Sequence, residues 1–196
     1  MIRALSRMTL ASLALTPFAA PAQTPTTEYY TIQGNSAREL RAQMKRLGPL
    51  DDAGKRNDGN TNWDIQWRYD YDRTPKGCTI TNIRVTLALR VTLPRWTPGP
   101  SAPQALVETW TRFIGALRLH EMGHVDLSIA AADEVRRVLE ANRRGPDCPT
   151  AEATLNAAGM KVLDDLRRRH ERYNRDTDSG GKQGTNVLER APTGGR

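Results

Sequence analysis

The sequence has no apolar run long enough to cross a bilayer, no internal repeat, and only two cysteines and three histidines in 196 residues. The first absence, with 38% hydrophobic residues and a mean hydropathy of −0.63, excludes a membrane-spanning helix and describes a chain with polar ends. Two cysteines exclude a disulfide-dense scaffold. None is needed at this length, because 196 residues suit one domain able to bury its own core. With three histidines, any metal site built on imidazole must draw on a very short list.

The N-terminal residues read as an export signal. Arg3 and Arg7 give a positive start, Met8 to Ala20 an apolar stretch, and Ala20-Pro21-Ala22 a small-x-small pattern that places cleavage after Ala22. The alternative, a buried N-terminal helix, is interrupted by Pro17 and Pro21 and has no cap. A periplasmic or secreted location follows, and with it a disulfide between Cys78 and Cys148 in an oxidising compartment. The formal charge of +7 suggests an anionic partner at first sight. Removing Arg3 and Arg7 leaves 27 basic against 22 acidic residues, a dispersed excess of +5. Arg167-Arg168-Arg169 reads as a solvated helix face, and no groove-reading motif or aromatic stacking set accompanies it, so no specific nucleic-acid partner is expected.

Periodicity organises the mature chain as α+β. Tyr29 to Ile32 predicts a strand, and Asn35 or Ser36 caps a helix that runs to Leu47 before Gly48-Pro49. Residues 50–60 form a polar loop with nothing to contribute to a core. Trp63, Ile65, Trp67, Tyr69 and Tyr71 then alternate with polar residues, as do Ile83 through Leu93 after the turn at Pro75-Lys76-Gly77. These two strands predict an antiparallel hairpin closed by Pro94 and Pro98-Gly99-Pro100. From Leu106 to Val138 the spacing changes to three and four residues, describing one face of a long helix. A further helix starts near Thr150, with Leu155, Val162, Leu166, His170 and Tyr173 on one stripe. The domain spans residues 23–184, and residues 185–196 read as a tail.

The long helix carries His120-Glu121-Met122-Gly123-His124. Residues four apart on a helix share a face, so His120 and His124 can offer two imidazole nitrogens to one zinc ion. Glu121 lies about 100° round the helix, placed to act as general base toward a water rather than as a ligand. The bare pattern also occurs by accident in unrelated helices, where the histidines are hydrogen-bonded core residues. Here it falls on the inward side of an amphipathic helix, where polar groups are costly unless metal-bound, paired or catalytic. Gly123 costs about 1 kcal/mol relative to alanine within a helix, which suggests a close approach to its backbone. Catalytic zinc needs a third protein ligand. His170, on the apolar stripe of the last helix, is the leading candidate. Asp126 and Asp133 face elsewhere, and Asp176, Asp178 and Ser179 are looser competitors in a flexible segment. Tyr173 is a candidate oxyanion donor, with plain core packing as the alternative.

Gly48-Pro49, the Thr61 to Tyr71 strand with its tryptophans, Cys78, Leu93-Pro94-x-Trp96, Trp110, the His-Glu-x-Gly-His helix and Cys148 resemble the domain-of-unknown-function 922 family, predicted secreted zinc-dependent proteases. The resemblance runs from about Tyr29 to Gly184. It implies a metallopeptidase acting on a peptide or protein substrate, with His120 and His124 as zinc ligands and Glu121 as base. The family pattern continues with Tyr-Asp, Thr-x-His-Gly and Gln-Gly, which correspond to Tyr173-Asn174, Thr177-Asp178-Ser179-Gly180 and Gln183-Gly184. Ser179 stands where that pattern has histidine. The expected architecture is an antiparallel hairpin packed against a zincin-like motif helix and a C-terminal helix.

Overall fold

The structure, a computed structural model describing residues 24–51 and 53–189, is α+β, and the proposed signal and the last seven residues lie outside the described residues. β1 (Thr26–Ile32), α1 (Ala37–Leu47), β2 (Asn60–Thr74), β3 (Gly77–Trp96), α2 (Gln104–Ala141), β4 (Arg144–Gly145) and α3 (Cys148–Thr177) follow in that order. Two 3-10 turns, Gly181–Gln183 and Thr185–Leu188, complete the chain. None of the described helices is long and apolar enough to cross a membrane.

The two-residue alternation gives the expected hairpin, with Thr74 opposite Gly77 and Asn60 opposite Thr92. Ile65, Leu89, Val91 and Leu93 are buried on the helix side, while Asp64, Gln66, Ala88 and Arg90 are exposed. A bulge interrupts the register where Arg68 faces Arg84 but Asp70 faces Thr81. It is accommodated by Asn82 at φ 51°, a left-handed conformation that asparagine tolerates better than most side chains. Tyr71 departs from its expected burial and is 42% exposed. It stands at the rim, where its hydroxyl donates to Glu152 Oε2 at 2.8 Å and that of Tyr69 donates to Oε1 at 2.9 Å.

β3 is the central strand. β2 lies antiparallel along one edge, and β1 parallel along the other, from Thr26 opposite Arg90 to Ile32 opposite Trp96. β1 therefore begins earlier than its apolar pattern indicates, because Thr26 to Glu28 are exposed and held by backbone pairing, with Glu28 also 3.3 Å from Arg90 Nε on β3. The strand also runs through Pro94 rather than closing there. β2 has already ended opposite Thr92, so a proline without an N–H costs no bond to β2.

α1 is capped by Ser36, whose hydroxyl accepts from Glu39 N, while Glu39 Oε2 accepts from Asn35 N at 2.8 Å. α3 starts at Cys148, two residues before Thr150, because Asp147 caps it and Pro149 suits a first turn. Both long helices pack on one face of the sheet and create two core clusters. One joins Leu40, Met44, Leu93, Trp96, Trp110, Phe113 and Leu117; the other joins Ile65, Ile80, Val135, Leu139, Leu155 and Leu166. Residues 120–124 occupy the boundary between them. Leu188 is only 2% exposed within the first cluster, so the packed chain continues past Gly184, where the sequence places the start of a tail.

Cys78 and Cys148 form a disulfide that ties the start of β3 to the start of α3 across a sequence separation of 70. By loop-closure entropy a bridge of this span stabilises the fold by about 4 kcal/mol. The Cys78→Ser/Cys148→Ser double variant is therefore expected to unfold at a clearly lower urea midpoint, with a steeper slope because the freed unfolded chain exposes more surface. An unaltered midpoint would show that the bridge does not constrain the unfolded chain.

Candidate metal centre

Helical periodicity turns His120, Glu121 and His124 inward, and all three are buried, at 5%, 4% and 8% exposure. Buried ionisable groups demand partners, and α3, β2 and the 3-10 turns supply them. Among the described residues no buried side-chain nitrogen or oxygen lacks a hydrogen bond.

Glu121 is held by the start of β2. Thr61 Oγ1 lies 2.7 Å from Glu121 Oε2 and 3.1 Å from Glu121 O. Burial pushes the carboxyl up to about 7, partly offset by the Thr61 bond. Gly59, from the loop expected to contribute no core, passes directly over this carboxyl; a side chain there would bring Cβ within 2.8 Å of Oε1. The polar loop thus ends in a buried residue, because only a bare backbone fits against the motif helix.

His120 is oriented from the C-terminal side. Its Nδ1 is 2.9 Å from Gln183 Oε1, an acceptor, so the imidazole proton resides on Nδ1 and Nε2 keeps its lone pair. Gln183 Nε2 in turn donates to the Tyr173 hydroxyl at 3.0 Å. The Tyr173 ring stacks on His120 at 5.1 Å and meets His124 edge-on at 4.9 Å. It also explains Gly123, where a Cβ would come within 2.1 Å of the Tyr173 hydroxyl and 2.4 Å of Cζ. Tyr173 is therefore both packed and adjacent to the motif. Its hydroxyl accepts from Gln183 and donates to no group among the described residues.

His124 touches both other histidines, with ring centroids 4.9 Å from each. His170 approaches its Nδ1 at 2.7 Å, whereas Asn174 Oδ1 approaches its Nε2 at 3.0 Å. Ser128 Oγ donates to His124 O at 2.9 Å and lies 3.4 Å from His170 Nε2. Burial lowers the proton affinity of all three rings, in His124 to about 4 with His170 and His120 adding to the effect. All three are therefore neutral imidazoles at neutral pH, the form a metal ion requires.

His120 and His124 offer imidazole nitrogens one helical turn apart, backed by hydrogen-bonded partners, and this donor chemistry fits zinc. His170 comes to the site as expected but on the Nδ1 edge of His124. Among the described residues, no three His, Cys, Asp or Glu side chains converge as a ready metal cage. Asp126 and Asp133 are exposed, and so are Asp176, Asp178 and Ser179. Ser179 occupies a left-handed turn at φ 47° and bonds through its backbone N to Asn174 O. The site residues that sequence reasoning leaves unassigned are Thr61, Ser128, Asn174 and Gln183. Asn174 carried a usable signal, since it follows His170 by four residues and so shares its helix face.

The family described as a bacterial protein of unknown function (DUF922) matches residues 27–181, from β1 to the first 3-10 turn. No curated protein and no solved structure matches the chain.

The overlap of Gly123 with Tyr173 makes a sharp test of the packing. Gly123→Ala gains helix propensity, about 1 kcal/mol, yet is expected to lower stability by about 1 to 3 kcal/mol through overpacking. Tyr173→Ala in the same chain should recover part of that loss, measured by denaturant unfolding of both single variants and the double. Strictly additive losses, or a stabilised Gly123→Ala, would rule out the contact.

Proposed function

The chain belongs to the DUF922 family of bacterial proteins, and within it we propose an exported zinc-dependent metallopeptidase with Glu121 as general base. The observation that carries the reading is the buried pair of neutral imidazoles, His120 and His124, flanking a carboxyl that burial tunes to about 7. A general base works best when its pKa lies near the operating pH, and an unperturbed glutamate is too acidic for that. Export is supported by the Cys78–Cys148 bridge and by the Arg3 to Ala22 pattern.

A bound zinc ion supplies Lewis-acid polarisation of a peptide carbonyl and acidifies a water molecule. His120 holds Nε2 free for it because Gln183 fixes the proton on Nδ1. Thr61 pins Glu121 Oε2, leaving Oε1 beneath the bare Gly59 backbone as the oxygen that takes the proton and returns it to the leaving amine. The Tyr173 hydroxyl, already accepting from Gln183, has its own hydrogen uncommitted and can donate to a developing oxyanion. The near-complete burial of His120, Glu121 and His124 favours a second reading, a zinc-binding envelope protein without catalysis.

One comparison separates the two. Glu121→Gln is expected to retain bound zinc and to lose peptide hydrolysis by about 100-fold or more. Hydrolysis at the same rate in both proteins would eliminate the peptidase reading, and zinc bound without hydrolysis in the parent would establish the inert one.

A further inference from the structure

We infer that the third protein donor facing a metal ion at His120 and His124 is the side-chain oxygen of Asn174, and that His170 is a positioning residue for His124. The inference rests on the zinc-site reading above. The two nitrogens of an imidazole lie on opposite edges of the ring and their lone pairs diverge. A group seated at Nδ1 of His124 therefore cannot also coordinate an ion at Nε2. His170 occupies the Nδ1 edge at 2.7 Å and Asn174 Oδ1 occupies the Nε2 edge at 3.0 Å. Asn174 thus reaches His124 from α3 on the ring edge opposite His170. The aspartates that the sequence offers as third ligands, Asp126, Asp133, Asp176 and Asp178, are all exposed and none of them competes with Asn174 for that edge.

The proton arrangement supports the same division of roles. With no ion present, His124 Nε2–H donates to Asn174 Oδ1, its Nδ1 accepts, and His170 Nδ1 is the donor. Ligation through His124 Nε2 requires the other tautomer. Its proton then sits on Nδ1 and points to His170 Nδ1, whose own proton sits on Nε2, 3.4 Å from Ser128 Oγ. Both histidines keep one proton throughout, and each changes the nitrogen that bears it. Ser128 Oγ can accept there while its own hydrogen remains with His124 O at 2.9 Å. His170 thus acts through His124, as outer partners of metal-bound histidines generally do. The donor set of two imidazoles and one amide oxygen carries no negative charge, so it binds a divalent cation more weakly than a set with one carboxylate.

Titration with Co2+ as a visible-spectrum probe, with competing Zn2+, tests this on the full mature chain. Asn174→Asp is expected to tighten binding by 10-fold or more and to change the Co2+ absorption envelope. That gain cannot arise from misfolding. His170→Ala is expected to keep one equivalent of Co2+ with the parent's absorption envelope, while losing affinity by about 10- to 100-fold. Parent-like affinity and spectrum in Asn174→Asp, or loss of the Co2+ site in a folded His170→Ala, would overturn the assignment and leave the zinc-site reading intact. Binding by Asn174→Asp but not by the parent would show that the amide oxygen does not complete a site, overturning the assignment and the peptidase reading for the native chain together. No binding by either would remove both.

Discussion

The Tyr173 ring lies flat against His120 and directly over Gly123, and this contact sets the separation of α2 and α3 at the site. A side chain at position 123 would force the helices apart, and with them every polar contact that α3 makes to the motif. Because Tyr173 sits where it does, His170 is one turn before it and Asn174 one residue after, so both edges of His124 are occupied from the same helix. Gln183 then closes the other end by bridging the Tyr173 hydroxyl and His120 Nδ1. His120 and His124 are buried at little cost because each finds its partners within this one packing arrangement. The two hydrophobic clusters on either side supply the force that keeps water out.

The parts legible in the sequence were those with local causes. Alternation in Trp63 to Tyr69 and Ile83 to Leu93 reports a sheet with one buried face, and three-four spacing from Leu106 to Val138 reports a helix with one buried stripe. Gly123 belongs here too, since an isolated helical glycine announces a close neighbour without naming it. The features that escaped have causes distant in the chain. Thr26 to Glu28 are strand only because β3 offers an edge, and Pro94 stays in β3 only because β2 stops short. Tyr71 has the right parity for burial, but its hydroxyl donates to Glu152 from the helix layer, and it stays at the rim. Leu188 looks like one apolar residue in a polar end until the first cluster receives it.

The candidate site divides in the same way. His120, Glu121 and His124 are written in five consecutive residues, and their inward direction follows from the helix stripe. Which edge of His124 faces His170 depends on the rotation of α3, to which spacing is blind at this resolution: residues 170, 173 and 174 all belong to the same stripe. Thr61 and Gln183 are 60 and 63 residues from the motif positions they serve, and no periodicity links them.

That separation in sequence has a consequence for how the molecule is made. A ribosome releases the motif helix long before Tyr173, Gln183 and Leu188 exist, so the nascent chain carries His120 and His124 without the groups that fix their protons and orientation. The site comes into being only as the final segment docks, with Leu188 in the core and Glu189 paired to Arg41 at 2.9 Å. A chain stopped short of its last ten described residues would retain the full motif and both cysteines, yet lack the hydrogen bond that readies His120.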